Sequence, residues 1–178
     1  IGDETLNANT AGNYNIGIGF NTLSNSTGNE QVAIGGYALN ENTTGSQNNA
    51  VGYQALKSTT SGHQNNAVGY GSLKSNTVGT GNTALGQTTL YNNISGSENV
   101  AVGNNALYFN TTGYTNTAVG AQSLKENTTG NGNTAIGYLS LEKNTVANEN
   151  TAVGQNNMSQ NTTGGQNTAI GTCALKTN

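Results

Sequence analysis

The sequence predicts an all-β fold, a parallel β-solenoid or β-roll of about eleven stacked 17-residue repeats. Three observations lead there. An aliphatic residue followed by Gly returns along the whole chain, at Ile1, Ile18, Ile34, Val51, Val68, Leu85, Val102, Val119, Ile136, Val153 and Ile170. The interval is 17 residues throughout, except for 16 between Ile18 and Ile34. A second apolar residue stands five places after each, from Leu6 and Leu23 through Leu124 and Leu141 to Met158 and Leu175. A unit this short cannot hold a helix pair, which needs about 33 residues or more.

The apolar segment of each unit reads as a strand. In Thr117-Ala-Val-Gly the residues alternate, with Thr and Val on one face and Ala and Gly on the other. A Gly after every aliphatic would cost a helix about 1 kcal/mol each time. The aliphatic columns are therefore assigned to the core: Val51, Leu56, Val68, Leu73, Val102, Leu107, Val119, Leu124, Ile136 and Leu141. On this assignment Val119→Asp should unfold or dissociate the rod, whereas Lys125→Ala should do almost nothing.

The polar segment reads as a turn. An Asn-Thr-Thr-Gly-like stretch closes at Gly12, Gly28, Gly45, Gly62, Gly79, Gly96, Gly113, Gly130 and Gly164, with Ala147 once in the Gly place. Asn and Gly tolerate left-handed backbone, and Asn closes its own turn through its side chain. The residue missing from the second unit falls between Leu23 and Gly28, in this polar part. Loops absorb such deletions, and the apolar spacing stays intact.

Stacking accounts for the composition. The chain of 178 residues holds 33 Asn, 27 Thr and 26 Gly, and only 7% of it is charged. Like residues placed above one another at about 4.8 Å form columns. Asn columns hydrogen-bond side chain to side chain, whereas columns of one charge repel. Two are expected: Asn82, Asn99, Asn116, Asn133, Asn150, Asn167, and Asn76, Asn93, Asn110, Asn127, Asn144, Asn161. Two aliphatics per unit are a thin core for the chain they must order. A homotrimer that buries the Ala/Gly faces of three chains against one another is therefore favoured over a lone coil.

Units such as Asn116-Thr-Ala-Val-Gly-Ala-Gln-Ser-Leu and Asn133-Thr-Ala-Ile-Gly-Tyr-Leu-Ser-Leu, with their Asn-Thr-Thr-Gly turns, resemble the repeats of phage tail-fibre-domain proteins. The Ala-Val-Gly and Ala-Ile-Gly cores are also similar to the head repeats of trimeric autotransporter adhesins. The resemblance runs over nearly the whole chain and departs from the adhesin head in its longer unit. It implies a three-chain parallel β-roll in an extracellular, cell-surface or virion fibre. Residues 1–178 are read as a single repeat array, a segment of a longer fibre with uncapped ends. Such ends recruit further copies, so the partner expected is the chain itself, as homotrimer or head-to-tail filament.

Several function classes are disfavoured. Five Lys against eight acids cannot neutralise a nucleic-acid backbone, and no apolar run approaches the ~18 residues of a membrane span. One His and one Cys, His63 and Cys173, leave no metal cluster or disulfide framework, and no cofactor is expected. The acids Asp3, Glu4, Glu30, Glu41, Glu98, Glu126, Glu142 and Glu149 form no column, so no paired-carboxylate hydrolase is read. The expectation is a non-catalytic structural shaft. The alternatives are a glycan- or ice-binding module and a self-stacking filament subunit. Tyr37, Tyr53, Tyr70 and Tyr138 either stack on sugar rings of cell-surface glycans or cover the rod's own apolar seam. Sequons at Asn25, Asn42, Asn93, Asn110, Asn127, Asn157 and Asn161 mark possible glycosylation.

Overall fold

The computed structural model describes Ile1–Lys176; Thr177 and Asn178 lie outside the described residues. The chain is a β-solenoid of about nine turns. The described residues form ten three-residue strands: β1 Ile16–Ile18, β2 Val32–Ile34, β3 Asn49–Val51, β4 Asn66–Val68, β5 Thr83–Leu85, β6 Val100–Val102, β7 Thr117–Val119, β8 Thr134–Ile136, β9 Thr151–Val153 and β10 Thr168–Ile170. They form one parallel sheet in sequence order. Register is that of the repeat: Thr117 lies beside Thr134, Ala118 beside Ala135 and Val119 beside Ile136. The first unit adds no strand but stacks on the second, with the Gly19 amide donating to the Ile1 carbonyl at 2.9 Å.

The expected alternation is present, but the inward face is the Ala face. Ala33, Ala50, Ala67, Ala84, Ala101, Ala118, Ala135 and Ala152 are fully buried, and they pack against the Leu column from Leu23 to Leu141 and Met158. The assignment of Leu56, Leu73, Leu107, Leu124 and Leu141 to the core holds. That of Val51, Val68, Val102, Val119 and Ile136 does not. Val68 is 43% exposed and Ile136 40%, and Val51, Val102 and Val119 are half-buried. The reason is width: a coil of 17 residues has room behind its strand for one Leu per turn facing a methyl group. Two branched side chains face to face would overpack it. The Ala face is thus consumed inside each chain and is not a surface that three chains bury together.

The other half of the interior is polar. In one ladder Asn116 Nδ2 donates to Asn99 Oδ1 at 3.2 Å, and Asn133 Nδ2 to Asn116 Oδ1 at 3.1 Å. In the other, Asn110 Nδ2 donates to Asn93 Oδ1 at 2.7 Å, and Asn127 Nδ2 to Asn110 Oδ1 at 2.9 Å. From Gly79 to Gly164 one carbonyl per coil joins the two. The Gly130 oxygen accepts from Asn116 at 2.8 Å and from Asn127 at 3.0 Å. Both expected Asn columns are therefore ladders, fully buried over most of their length. The bond from Asn127 to Gly130 is also the side-chain closure expected of the turn.

Left-handed backbone lies elsewhere than expected. Asn127 and Gly130 are outside that region, whereas Gln122 (φ 59°), Leu124 (φ 48°) and Gly132 (φ 64°) are in it. Equivalent corners recur in coil after coil, and the Leu of the core column is left-handed in each. A left-handed L-residue costs roughly 1–2 kcal/mol, so each coil stores strain at the corners that turn it back on itself. The short second coil is repaired locally. Ser26 stands where the ladder has Asn, and the longer Gln31 fills the gap. Its Nε2 donates to Ser26 Oγ at 2.7 Å and its Oε1 accepts from Asn42 Nδ2 at 3.0 Å.

Candidate functional site

With the ladders and the Ala–Leu core turned inward, function is left to the outer columns. The broadest is the sheet's outer face. Ile18, Ile34, Val51, Val68, Leu85, Val102, Val119, Ile136, Val153 and Ile170 form one unbroken aliphatic column along it. The parallel outward column carries Ile16, Val32, Asn49, Asn66, Thr83, Val100 and then Thr117, Thr134, Thr151 and Thr168. Among the described residues, no strand position holds a charged residue. All but Leu85 of the aliphatic column are β-branched, so this surface has little side-chain freedom.

Aromatic residues collect at two corners. Phe20, Tyr37, Tyr53 and Tyr70 form a run with ring centroids 5.4–5.8 Å apart. Tyr37 projects from the neighbouring position and packs between Phe20 and Tyr53, where Gly36 leaves the column empty. Tyr138 stands apart from them. At another corner Tyr91 stacks on Tyr108, and Phe109 meets Tyr108 edge-on at 4.7 Å. Lys74 Nζ donates to the Tyr91 hydroxyl at 2.8 Å, and that bond raises its pKa above the usual lysine value.

A groove of about 690 Å³ runs beside the second corner, lined by Ser75, Asn92, Ile94, Phe109, Thr111, Glu126, Thr128 and Thr145. It lies between two outward columns that flank the buried Asn ladder. Glu126 accepts a hydrogen bond from Lys143 Nζ at 2.7 Å, which raises the lysine pKa. The contribution of this pair is present below the ordinary lysine pKa and is lost as pH rises through the raised one. Both partners are substantially solvated, so the contribution is small.

The residues singled out for chemistry do not converge. His63 is an exposed turn residue whose Nδ1 accepts the Ser46 amide at 3.3 Å. Cys173 is exposed at a left-handed corner. Glu30 and Glu149 accept from Gln47 and Gln166 of adjacent coils, both at 2.9 Å. Among the described residues, no group of three or more His, Cys, Asp or Glu could hold a metal ion. No helix among them is long and apolar enough to cross a membrane.

The sequons divide sharply. Asn42, Asn93, Asn110, Asn127, Asn157 and Asn161 are fully buried, so these possible glycosylation sites are closed in the folded chain. All but Asn157 stand in the ladder that begins at Asn42; Asn157 donates to the Val153, Ala169 and Gly171 carbonyls. Asn25 alone among them is exposed, because the one-residue deletion puts Ser26 in the ladder place.

No family model, curated protein or solved structure matches this chain. The surface must be interpreted from its own chemistry. Neither the outward aliphatic column nor the groove was read from the sequence. The groove did leave a signal: Ile94 interrupts a column that is otherwise Thr43, Thr60, Thr77, Thr111, Thr128, Thr145 and Thr162.

Proposed function

We propose that this chain is the non-catalytic shaft of an extracellular, cell-surface or virion fibre, and that it works by self-association. The observation that carries the reading is the unbroken in-register stack, with two buried Asn ladders joined in coil after coil by a shared carbonyl. Such a stack resists bending, because any kink must part both ladders and the sheet at once. Ten strands at about 4.8 Å span roughly 45 Å, and every added unit lengthens the rod by the same step.

The aliphatic column supports the second half of the proposal. A rigid, charge-free strip of this length is an interaction surface. Its ridges repeat at the strand spacing, and a second copy of the chain matches that spacing by construction. Two such faces packed together cover on the order of 1,000 Å², the lower bound for a specific interface. A trimer adds a second contact per chain, and a head-to-tail filament uses the strand edges instead.

Light scattering combined with small-angle X-ray scattering tests this. The expected result is a particle of two or three chains whose long axis matches one rod, showing side-by-side assembly. A stable monomer at high concentration would overturn the self-association, and a flexible, bent particle would overturn the shaft.

A further inference from the structure

The groove beside Phe109 goes beyond the shaft reading and does not depend on it. Two departures from the repeat meet there. In the Thr column each hydroxyl donates to the carbonyl one coil on: Thr77 to Ile94 at 3.0 Å, Thr111 to Thr128 at 3.0 Å and Thr128 to Thr145 at 3.0 Å. Ile94 has no hydroxyl, so one link of that chain is missing, and its side chain is 47% exposed. In the facing column every other coil from Glu41 to Gln160 carries a polar residue: Glu41, Ser58, Ser75, Asn92, Glu126, Lys143 and Gln160. Phe109 alone is apolar, and it is 44% exposed. Ile94 removes a hydrogen bond, Phe109 gains only an edge-on contact with Tyr108, and both leave apolar surface in water. Local rules broken side by side without a folding gain mark a site with another purpose.

We infer that this groove binds a neutral oligosaccharide laid along the rod. Its apolar strip, made by Phe109, Ile94 and the Thr methyl groups, suits the C–H face of a pyranose. Thr111, Thr128 and Thr145 have their hydroxyls committed to the backbone or to the next coil. Ser75, Asn92 and Glu126 border the strip with a hydroxyl, an amide and a carboxylate. Asn92 Nδ2 already donates to the Tyr108 carbonyl and one Glu126 oxygen already accepts from Lys143, but a ligand apolar all round would desolvate the Ser75 hydroxyl, the Asn92 Oδ1 and the second Glu126 oxygen without offering them a partner. An anionic or cationic ligand would find Glu126 and Lys143 already neutralising one another. An amphipathic ring with a rim of hydroxyls satisfies both parts. The volume lies within the range of small-molecule sites, and the groove crosses five coils, roughly 20 Å, long enough for a short chain of sugars.

The test uses an array of neutral di- to hexasaccharides, followed by calorimetric titration of any hit. The intact chain is expected to bind. Phe109→Ala should weaken binding roughly tenfold or more, and Ile94→Thr roughly threefold. Ile94→Thr should at the same time raise the unfolding midpoint, because it restores the missing bond from residue 94 to the Thr111 carbonyl. Opposite signs on binding and stability separate a ligand-binding role from a structural one. Tyr138→Ala, which removes an aromatic outside the groove lining, should change neither. The assignment is overturned if no neutral saccharide binds, if bound saccharide is indifferent to Phe109→Ala, or if the groove takes an apolar peptide in preference.

Discussion

At the residue scale the stability of this chain rests on amides that have no alternative partner. Asn110 donates to Asn93 and to the Gly113 carbonyl, and it accepts from Asn127. The one non-Asn member between Asn42 and Asn161 is Thr59. Its Oγ1 and the Oδ1 of Asn42 beneath it are buried without partners. Thr59→Asn should therefore complete the ladder, linking Asn42 to Asn76 and adding a donor to the Gly62 carbonyl. The expected gain is about 1–3 kcal/mol, read as a rise in denaturant midpoint at unchanged slope. A null or negative effect would mean that the site has relaxed around Thr59. The same burial makes a chemical prediction. In a host that N-glycosylates Asn-X-Ser/Thr, the folded rod should carry a glycan at Asn25 alone. Peptide mass mapping checks it, and occupancy at Asn127 in folded protein would contradict the ladder.

At the element scale each coil is held by a narrow fit rather than by a large core. Leu124 is fully buried in the Ala–Leu core, and Leu124→Ala should cost about 2–5 kcal/mol. Gly120 is constrained twice. Its φ is 129°, and a Cβ there would lie 2.6 Å from the carbonyl carbon of Gly137 in the next coil. Gly120→Ala should thus destabilise by at least as much as the Leu truncation, with thermal unfolding as the measurement. The turn glycines are equally crowded, a Cβ at Gly113 lying 2.5 Å from the Gly130 carbonyl oxygen, but their φ is not left-handed. Ala147 occupies their place once, and its carbonyl still accepts from Asn133 at 2.8 Å and Asn144 at 3.1 Å. The aliphatic-Gly motif is therefore fixed by φ and packing together, whereas the turn Gly is held by packing alone.

At the scale of the whole molecule the exposed aliphatic column decides how rods meet. Val119→Asp places a carboxylate on the outer face, where solvent receives it, so the monomer should keep its fold. Self-association should fall sharply, because a charge in the middle of an apolar contact is desolvated without a partner. Circular dichroism and light scattering on the same sample separate the two effects. Unfolding would return Val119 to the core. Unchanged assembly would remove this face from the interface. Lys125→Ala, at a solvated corner, should alter neither.

The sequence by itself determined the class of the fold, its period, its register and both Asn ladders. These follow from repetition: when every unit is alike, the only arrangement that pairs like with like is a stack, and buried amides must pair. It also placed the deletion in the polar arc, where Gln31 makes up the loss. Which face of the strand turns inward was left to the tertiary structure. Alternation separates Ala118 from Val119 but does not say which is inside; that depends on the width of the closed coil, set by left-handed corners at residues such as Gln122 and Leu124. Those corners have no propensity signal, since Gln and Leu ordinarily avoid that region. The same closure buried six of the seven sequons and turned the aliphatic column outward. It also set Ile94 and Phe109, 15 residues apart in the chain, on two sides of one groove.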